Sequence, residues 1–219
     1  MKTIPNILIA LALLLSMTAC GGAENKEADT GEAAEAEDAE GATGYTVDKE
    51  ASSVEWKAYK VTGDEHYGKF PIKSGEIKRE GDNVTGGEVV VSVADLKIDD
   101  LEEGTEDYKK LEGHLKSEDF FAADEHPEAK LEITEVEEGG EDGASHTITA
   151  NLTIRDKTNS VTFPADVTLD DDRVSAEAKF AIDRMKWDVD WEKTNPAGEL
   201  VAKNKVDLHV NIKAMAPQS

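Results

Sequence analysis

Ser145-His146 sets a hydroxyl beside an imidazole, the two groups of a nucleophile and its general base. Neighbouring residues in a strand point to opposite faces, however, so the pair reads as part of a turn rather than as catalytic machinery. His66, His114 and His126 could ligate a transition metal, but they lack the close helical or hairpin spacing that builds such a centre, and no metal site is expected. Asp170-Asp171-Asp172 is missing the spaced oxygens and the glycine of a calcium loop, and predicts a hairpin tip. The sequence contains no nucleophile elbow, phosphate loop, dinucleotide fingerprint or zinc-protease helix. The expectation is a non-enzyme: catalytic residues none, cofactors none.

The single cysteine, Cys20, excludes an internal disulfide and any cysteine-built zinc cluster. Its setting points elsewhere. Lys2 gives a positive start, Ile7 to Leu15 is an apolar run of nine residues, and Ser16 to Ala19 are mostly small, which is the pattern of an export signal. Nine residues are too few to span a bilayer, which takes about 20. Met17-Thr18-Ala19-Cys20 resembles the bacterial lipobox, and this resemblance implies a signal peptide over 1–19 and lipidation of Cys20. Gly21 is not the Asp of an inner-membrane retention signal, which favours the outer membrane, facing the periplasm or the cell surface. Residues 20–44 are rich in Glu, Asp, Gly and Ala with no aromatic residue, and read as an acidic flexible linker.

Across all 219 residues, 24 Lys and Arg face 48 Asp and Glu, a net charge of −24. Phosphate backbones are bound by basic surfaces, so nucleic acid is excluded as a partner. The length suits one domain with a single core.

The elements beyond residue 45 follow a period of two. Val54, Trp56 and Ala58 alternate with polar neighbours, as do Val89, Val91 and Val93, then Leu131 and Ile133. Ile148, Ala150, Leu152 and Ile154 form the clearest set, followed by Phe163, Ala165 and Val167, by Ala178, Phe180 and Ile182, and by Val206, Leu208, Val210 and Ile212. One wet and one apolar face per strand predicts an antiparallel sheet. About eight strands over this length must stack as a sandwich or close as a barrel. One segment departs from the pattern: Tyr108, Leu111 and Leu115 recur at helical spacing, Thr105 can cap the start, and Phe120-Phe121 follow. A short amphipathic helix is predicted there, with Leu115, Phe120 and Phe121 as a plug on one mouth of the sheet.

Five motifs in order carry a family resemblance. Tyr45-Thr46-Val47-Asp48 with Ser53-Val54-Glu55-Trp56, then Gly68-Lys69-Phe70, then His114 to Phe121 with His126-Pro127 and Lys130-Leu131-Glu132, then Leu152-Thr153-Ile154-Arg155 with Thr158, and last Phe180 to Arg184, together resemble the YceI-like family of lipid- and polyisoprenoid-binding barrels. Departures from its pattern are Asp156 and Asn151 at glycine positions, Ala122 in place of an Asp, and Leu131 in place of an aromatic residue.

The resemblance implies an all-β fold, an extended antiparallel eight-stranded lipocalin-like barrel with one short helix, over residues 45–215. Its implied cargo is a long amphiphilic lipid, of isoprenoid quinone or polyprenyl phosphate type, stored, shielded or transported inside the barrel. The expected lining is Trp56, Leu131, Ile133, Ile148, Leu152, Ile154, Phe163, Val167, Phe180 and Ile182, with Phe70, Leu115, Phe120 and Phe121 near a mouth. Arg184 and His114 are candidates to meet a polar head, because a guanidinium can fork a phosphate or donate to a carbonyl. Trp187 and Trp191 share one face of a stretch read as extended, suited to flank an entrance or to pack a loop on the barrel. The competing reading is a structural or stress-protective acidic surface lipoprotein whose barrel is filled by side chains. A homodimer is compatible with the sequence.

Overall fold

The computed structural model describes residues 25–36, 41–190 and 202–217. The export signal, Cys20 and Trp191 lie outside them. In chain order the elements are β1 (Asp29–Glu32), β2 (Thr43–Val47), β3 (Ser53–Lys60), β4 (Glu65–Lys69), β5 (Ile72–Glu80), β6 (Asn83–Ser92), β7 (Lys97–Ile98), α1 (Glu106–Lys116), β8 (Glu128–Glu138), β9 (His146–Ile154), β10 (Lys157–Asp170), β11 (Arg173–Asp183) and β12 (Ala202–Met215).

These strands close an eight-stave antiparallel barrel. β2 and β3 act as one interrupted stave along β12, with Val47 opposite Ala214 and Ser53 opposite Asn211. β4 and β5 make a second, broken at Phe70-Pro71, where proline withdraws a ladder donor. From β5 the ladder runs through β6, β8, β9, β10 and β11 back to β12. The tips follow local chemistry. Gly81, at φ +58°, makes the tight β5–β6 turn, and Asp171-Asp172 form the β10–β11 tip. At the β9–β10 tip the left-handed residue is Arg155 (φ +57°), next to the Asp156 that departs from the family's glycine, and its guanidinium donates to the Asp188 carbonyl at 2.9 Å.

The alternation places the core as expected. Ala150, Val161, Phe180, Ala181 and Val174 are 0–1% exposed. Between β6 and β8 the chain closes one end of the barrel. Thr105 caps α1, accepting from the Tyr108 amide at 3.3 Å, and Tyr108 and Leu115 turn inward onto Trp56, Leu96 and Ile98 as a second small core. Gly68 is required where β7 crosses β4, since a Cβ there would meet the Lys97 carbonyl oxygen at 1.9 Å. At Ala122 the backbone is left-handed (φ +47°), held by amide bonds from Ala122 to Ser117 and from Ala123 to Lys116.

Within the segment read as an acidic flexible linker, 20–44, four residues form β1, and Asp29 to Glu32 pair with Thr162 to Asn159 of β10. β10 and β11 pair only from Ala165 opposite Ala178 to their shared tip. Below that point they part, and the N-terminal segment lies between them: Ala28 donates to the Ala181 carbonyl and Ala181 to the Lys26 carbonyl, at 2.8 and 2.9 Å. Ala28 is 6% exposed and belongs to the main core. Farther on, the Asn151 amide grips the backbone of Ala34 through two bonds, of 3.0 and 2.6 Å. A polar, acidic segment can dock this way because strand pairing uses backbone groups that every residue carries.

Candidate functional site

Among the inward side chains the barrel keeps an apolar lumen in two chambers. The first is lined by Trp56, Phe70, Leu115, Phe120, Phe121, Ile154, Ile182 and Arg184 among others, and the second by Leu131, Ile133, Ile148, Phe163, Ala178 and Phe180 among others. Val54, Val91, Ala129, Leu152 and Leu208 line both, so the chambers adjoin. Each leaves about 110 Å³ for the centre of a water molecule, against the roughly 10–15 Å³ that holds one water. The walls exposed to this space are carbon, which disfavours water and favours a slender apolar guest.

The α1 end is dense with rings. Phe70 meets Phe121 edge to face at 5.8 Å, Phe121 meets Phe120 at 4.9 Å, and Trp56 tilts against Phe70 at 6.4 Å. Arg184 is 5% exposed in a short 3-10 turn, Arg184–Trp187, that continues β11 and is capped by the Asp183 carboxylate. Its guanidinium donates to the Val189 carbonyl and to Asn204 Oδ1 (3.2 Å), and stands 5.8 Å from the Phe120 ring centre. Arg184 thus borders the apolar chamber through its carbon atoms, while its guanidinium is held by protein oxygens at the α1 end.

Of the residues expected to line the lumen, all but one do so. Val167 is half-buried against the core without facing either chamber. His114 lies on the other side of Phe120, edge-on at 5.5 Å, and lines a shallow outer groove with Lys60, His66 and Lys110. The structure therefore brings Arg184 to the lumen and His114 only to its outer wall. Trp187 sits in the 3-10 turn and not in an extended stretch, but it packs that turn on the barrel as one reading expected: it is fully buried, and its indole donates to the Leu152 carbonyl at 2.7 Å. The second chamber is also lined by Ala129, Ala165, Ala176 and Ala178, which the expected lining set does not include although Ala165 and Ala178 stand on its apolar faces. Their signal was available, as small residues on the apolar face of successive strands.

Ser145 and His146 are in contact after all, Oγ to Nδ1 at 2.8 Å, because Ser145 precedes β9 and escapes strand geometry. That hydroxyl accepts from the Val167 amide at 2.8 Å and lies 3.3 Å from the Ala165 carbonyl, so it serves as an exposed staple between strands. Perturbed titrations fall on the outer surface. A hydrogen bond from Lys179, then one from His209, lowers Glu177, and a hydrogen bond to Glu88 raises Lys130.

The YceI-like domain model matches residues 45–214. No curated protein matches this chain. The crystal structure of Burkholderia cenocepacia BcnA superposes with a TM-score of 0.62 at 19% identity, covering 77% of this chain and 99% of its own. A polyisoprenoid binding domain from Saccharophagus degradans, implicated in plant cell wall breakdown, gives 0.58 at 15% identity, with 79% and 98% covered. A Campylobacter jejuni YCEI protein gives 0.50 at 15%, with 69% and 85% covered. At these identities the likeness establishes a shared fold.

Proposed function

The chain belongs to the YceI-like domain family, and on that footing we propose that it binds one long amphiphilic lipid in its lumen, for storage, shielding or transport in the cell envelope. The observation that carries this reading is the pair of adjoining apolar chambers inside the barrel, which a filled scaffold would not keep. Each methylene moved from water into that space gains about 0.8 kcal/mol, and association and ordering costs of roughly 4–15 kcal/mol leave reversible affinity for a tail of some twenty carbons. An isoprenoid chain with a quinone or phosphate head fits this chemistry: a slender tail in the second chamber, and a head toward Arg184, whose guanidinium suits a carbonyl or phosphate oxygen. The Saccharophagus neighbour, a polyisoprenoid binding domain by description, supports this cargo class. Lipidation at Cys20 would hold the carrier at the membrane that supplies its cargo. No step in this role makes or breaks a bond.

Solvent extraction of purified protein followed by mass spectrometry tests the reading. A long-chain isoprenoid near one molecule per chain is expected, and it should vanish in Ala178→Trp, which fills the second chamber. Extracts free of long-chain species from a natively folded protein would overturn the carrier role and leave the filled scaffold.

A further inference from the structure

The barrel wall has one seam that its own staves do not close. Ladder pairing between β10 and β11 ends at Ala165 and Ala178. Pro164, which has no N–H to offer a neighbour, occupies the branch point. Beyond it, among the described residues, the backbones of 157–164 of β10 and 179–183 of β11 are bridged by the N-terminal strap, Lys26 to Glu32, through β1 on one side and the two Ala181 bonds on the other, while the Asn159 side chain donates to the Lys186 carbonyl at 2.7 Å. A recess of about 170 Å³ follows this seam, lined by Lys26, Ala28, Thr162, Lys179, Phe163 and Phe180 among others. Phe163 and Phe180 also line the second chamber, and their rings stack 4.1 Å apart at 8°. Two flat rings and one four-residue strand therefore separate the interior from solvent at this point. The α1 end, in contrast, is shut by a helix, a second core and four aromatic rings.

We propose that this seam is the access site for cargo: the lipid enters and leaves sideways, between β10 and β11, past Phe163 and Phe180, when the strap lifts. The inference rests on the lumen being a lipid site. The strap suits the task because its hold is mostly backbone pairing plus a single buried methyl, Ala28, so it can peel without unpacking the barrel. With Cys20 acylated, five residues lie between the anchor and Lys26, and six steps of at most about 3.3–3.6 Å keep the seam within roughly 20 Å of the bilayer that would deliver the lipid.

A reversible lock tests it. Gly31 and Ser160 are direct partners across β1 and β10, and a Cβ at Gly31 meets open space, so Gly31→Cys with Ser160→Cys, in the full chain carrying Cys20→Ser, can form a disulfide. Stopped-flow fluorescence with cis-parinaric acid, a slender linear chain, reads uptake and release. The oxidised lock is expected to slow both at least tenfold with affinity unchanged, and reductant should restore them. A control disulfide at Thr153→Cys with Thr158→Cys, a cross-strand pair that ties β10 to β9 and does not cross the seam between β10 and β11, should leave both rates unaltered. Ala28→Glu, which weakens the strap without any cross-link, should accelerate both. Equal rates in locked and reduced protein, or no acceleration by Ala28→Glu, would overturn the seam and assign entry to the α1 end. Failure of every variant to take up the probe would instead refute the lipid-binding reading itself.

Discussion

The lumen wall and the N-terminal strap are both built on strand pairing, yet they hold in opposite ways. Lumen residues are selected by side chain: Phe163, Phe180 and Ile182 are 1–5% exposed and lie on one face of every stave. The strap is selected mainly by backbone: of its residues from Lys26 to Glu32 only Ala28 is buried, and the rest dock through amides and carbonyls, with surface ion pairs from Lys26 to Glu141 and from Lys186 to Glu27. Substitutions in the wall should therefore be costly and global, and those in the strap mild and local.

That contrast can be broken at several points. Phe180→Ala, losing the stacked partner of Phe163, should destabilise the whole barrel by about 3–5 kcal/mol; urea unfolding that shows less than 1 kcal/mol would mean the ring is loosely held. Ala28→Asp puts a carboxylate into the seam at a cost of about 1–3 kcal/mol. The loss should appear in hydrogen exchange at the Ala28 and Ala181 amides and leave β12 protected. Uniform loss of protection would instead make the strap part of the global fold. Asn151→Ala removes both bonds to Ala34, worth roughly 1–2 kcal/mol together, and should hasten proteolysis near Ala34 with little change in midpoint. The smallest effect is on the outer wall. Glu177 has its carboxyl lowered below the ordinary 4.5 by Lys179 and then His209. Its contribution is present above the unfolded value and is lost as pH falls through the folded one; for so exposed a group it amounts to a few tenths of a kcal/mol. Glu177→Gln should flatten stability between pH 5 and 3 by about that amount, and a larger change in a pH series of unfolding curves would reveal a stronger network.

The same contrast explains what could be read from sequence. Alternation exposed the staves, and Thr105 with Tyr108 and Leu115 exposed α1, because burial leaves a period in side-chain type. Fourteen of the sixteen proposed ligand contacts line the lumen for that reason. The strap left no such trace, since acidic residues pair along a strand edge as readily as any others when their side chains point to solvent. The turn that carries Trp187 was not legible as a turn, because a 3-10 helix of four residues shows no period. His114 follows the helix that bears it, and the turn from Leu115 to Phe120 puts a ring between it and the cavity.

The boundary of the family match has a practical consequence. A chain begun at Tyr45 would satisfy every motif of the domain and still lack β1, leaving the free edges of β10 and β11 facing each other across an unfilled slot. Naked strand edges recruit other strands, so the shortened protein should exchange segments between copies and sediment as mixed oligomers, whereas the chain that keeps Lys26 to Glu32 carries its own stopper.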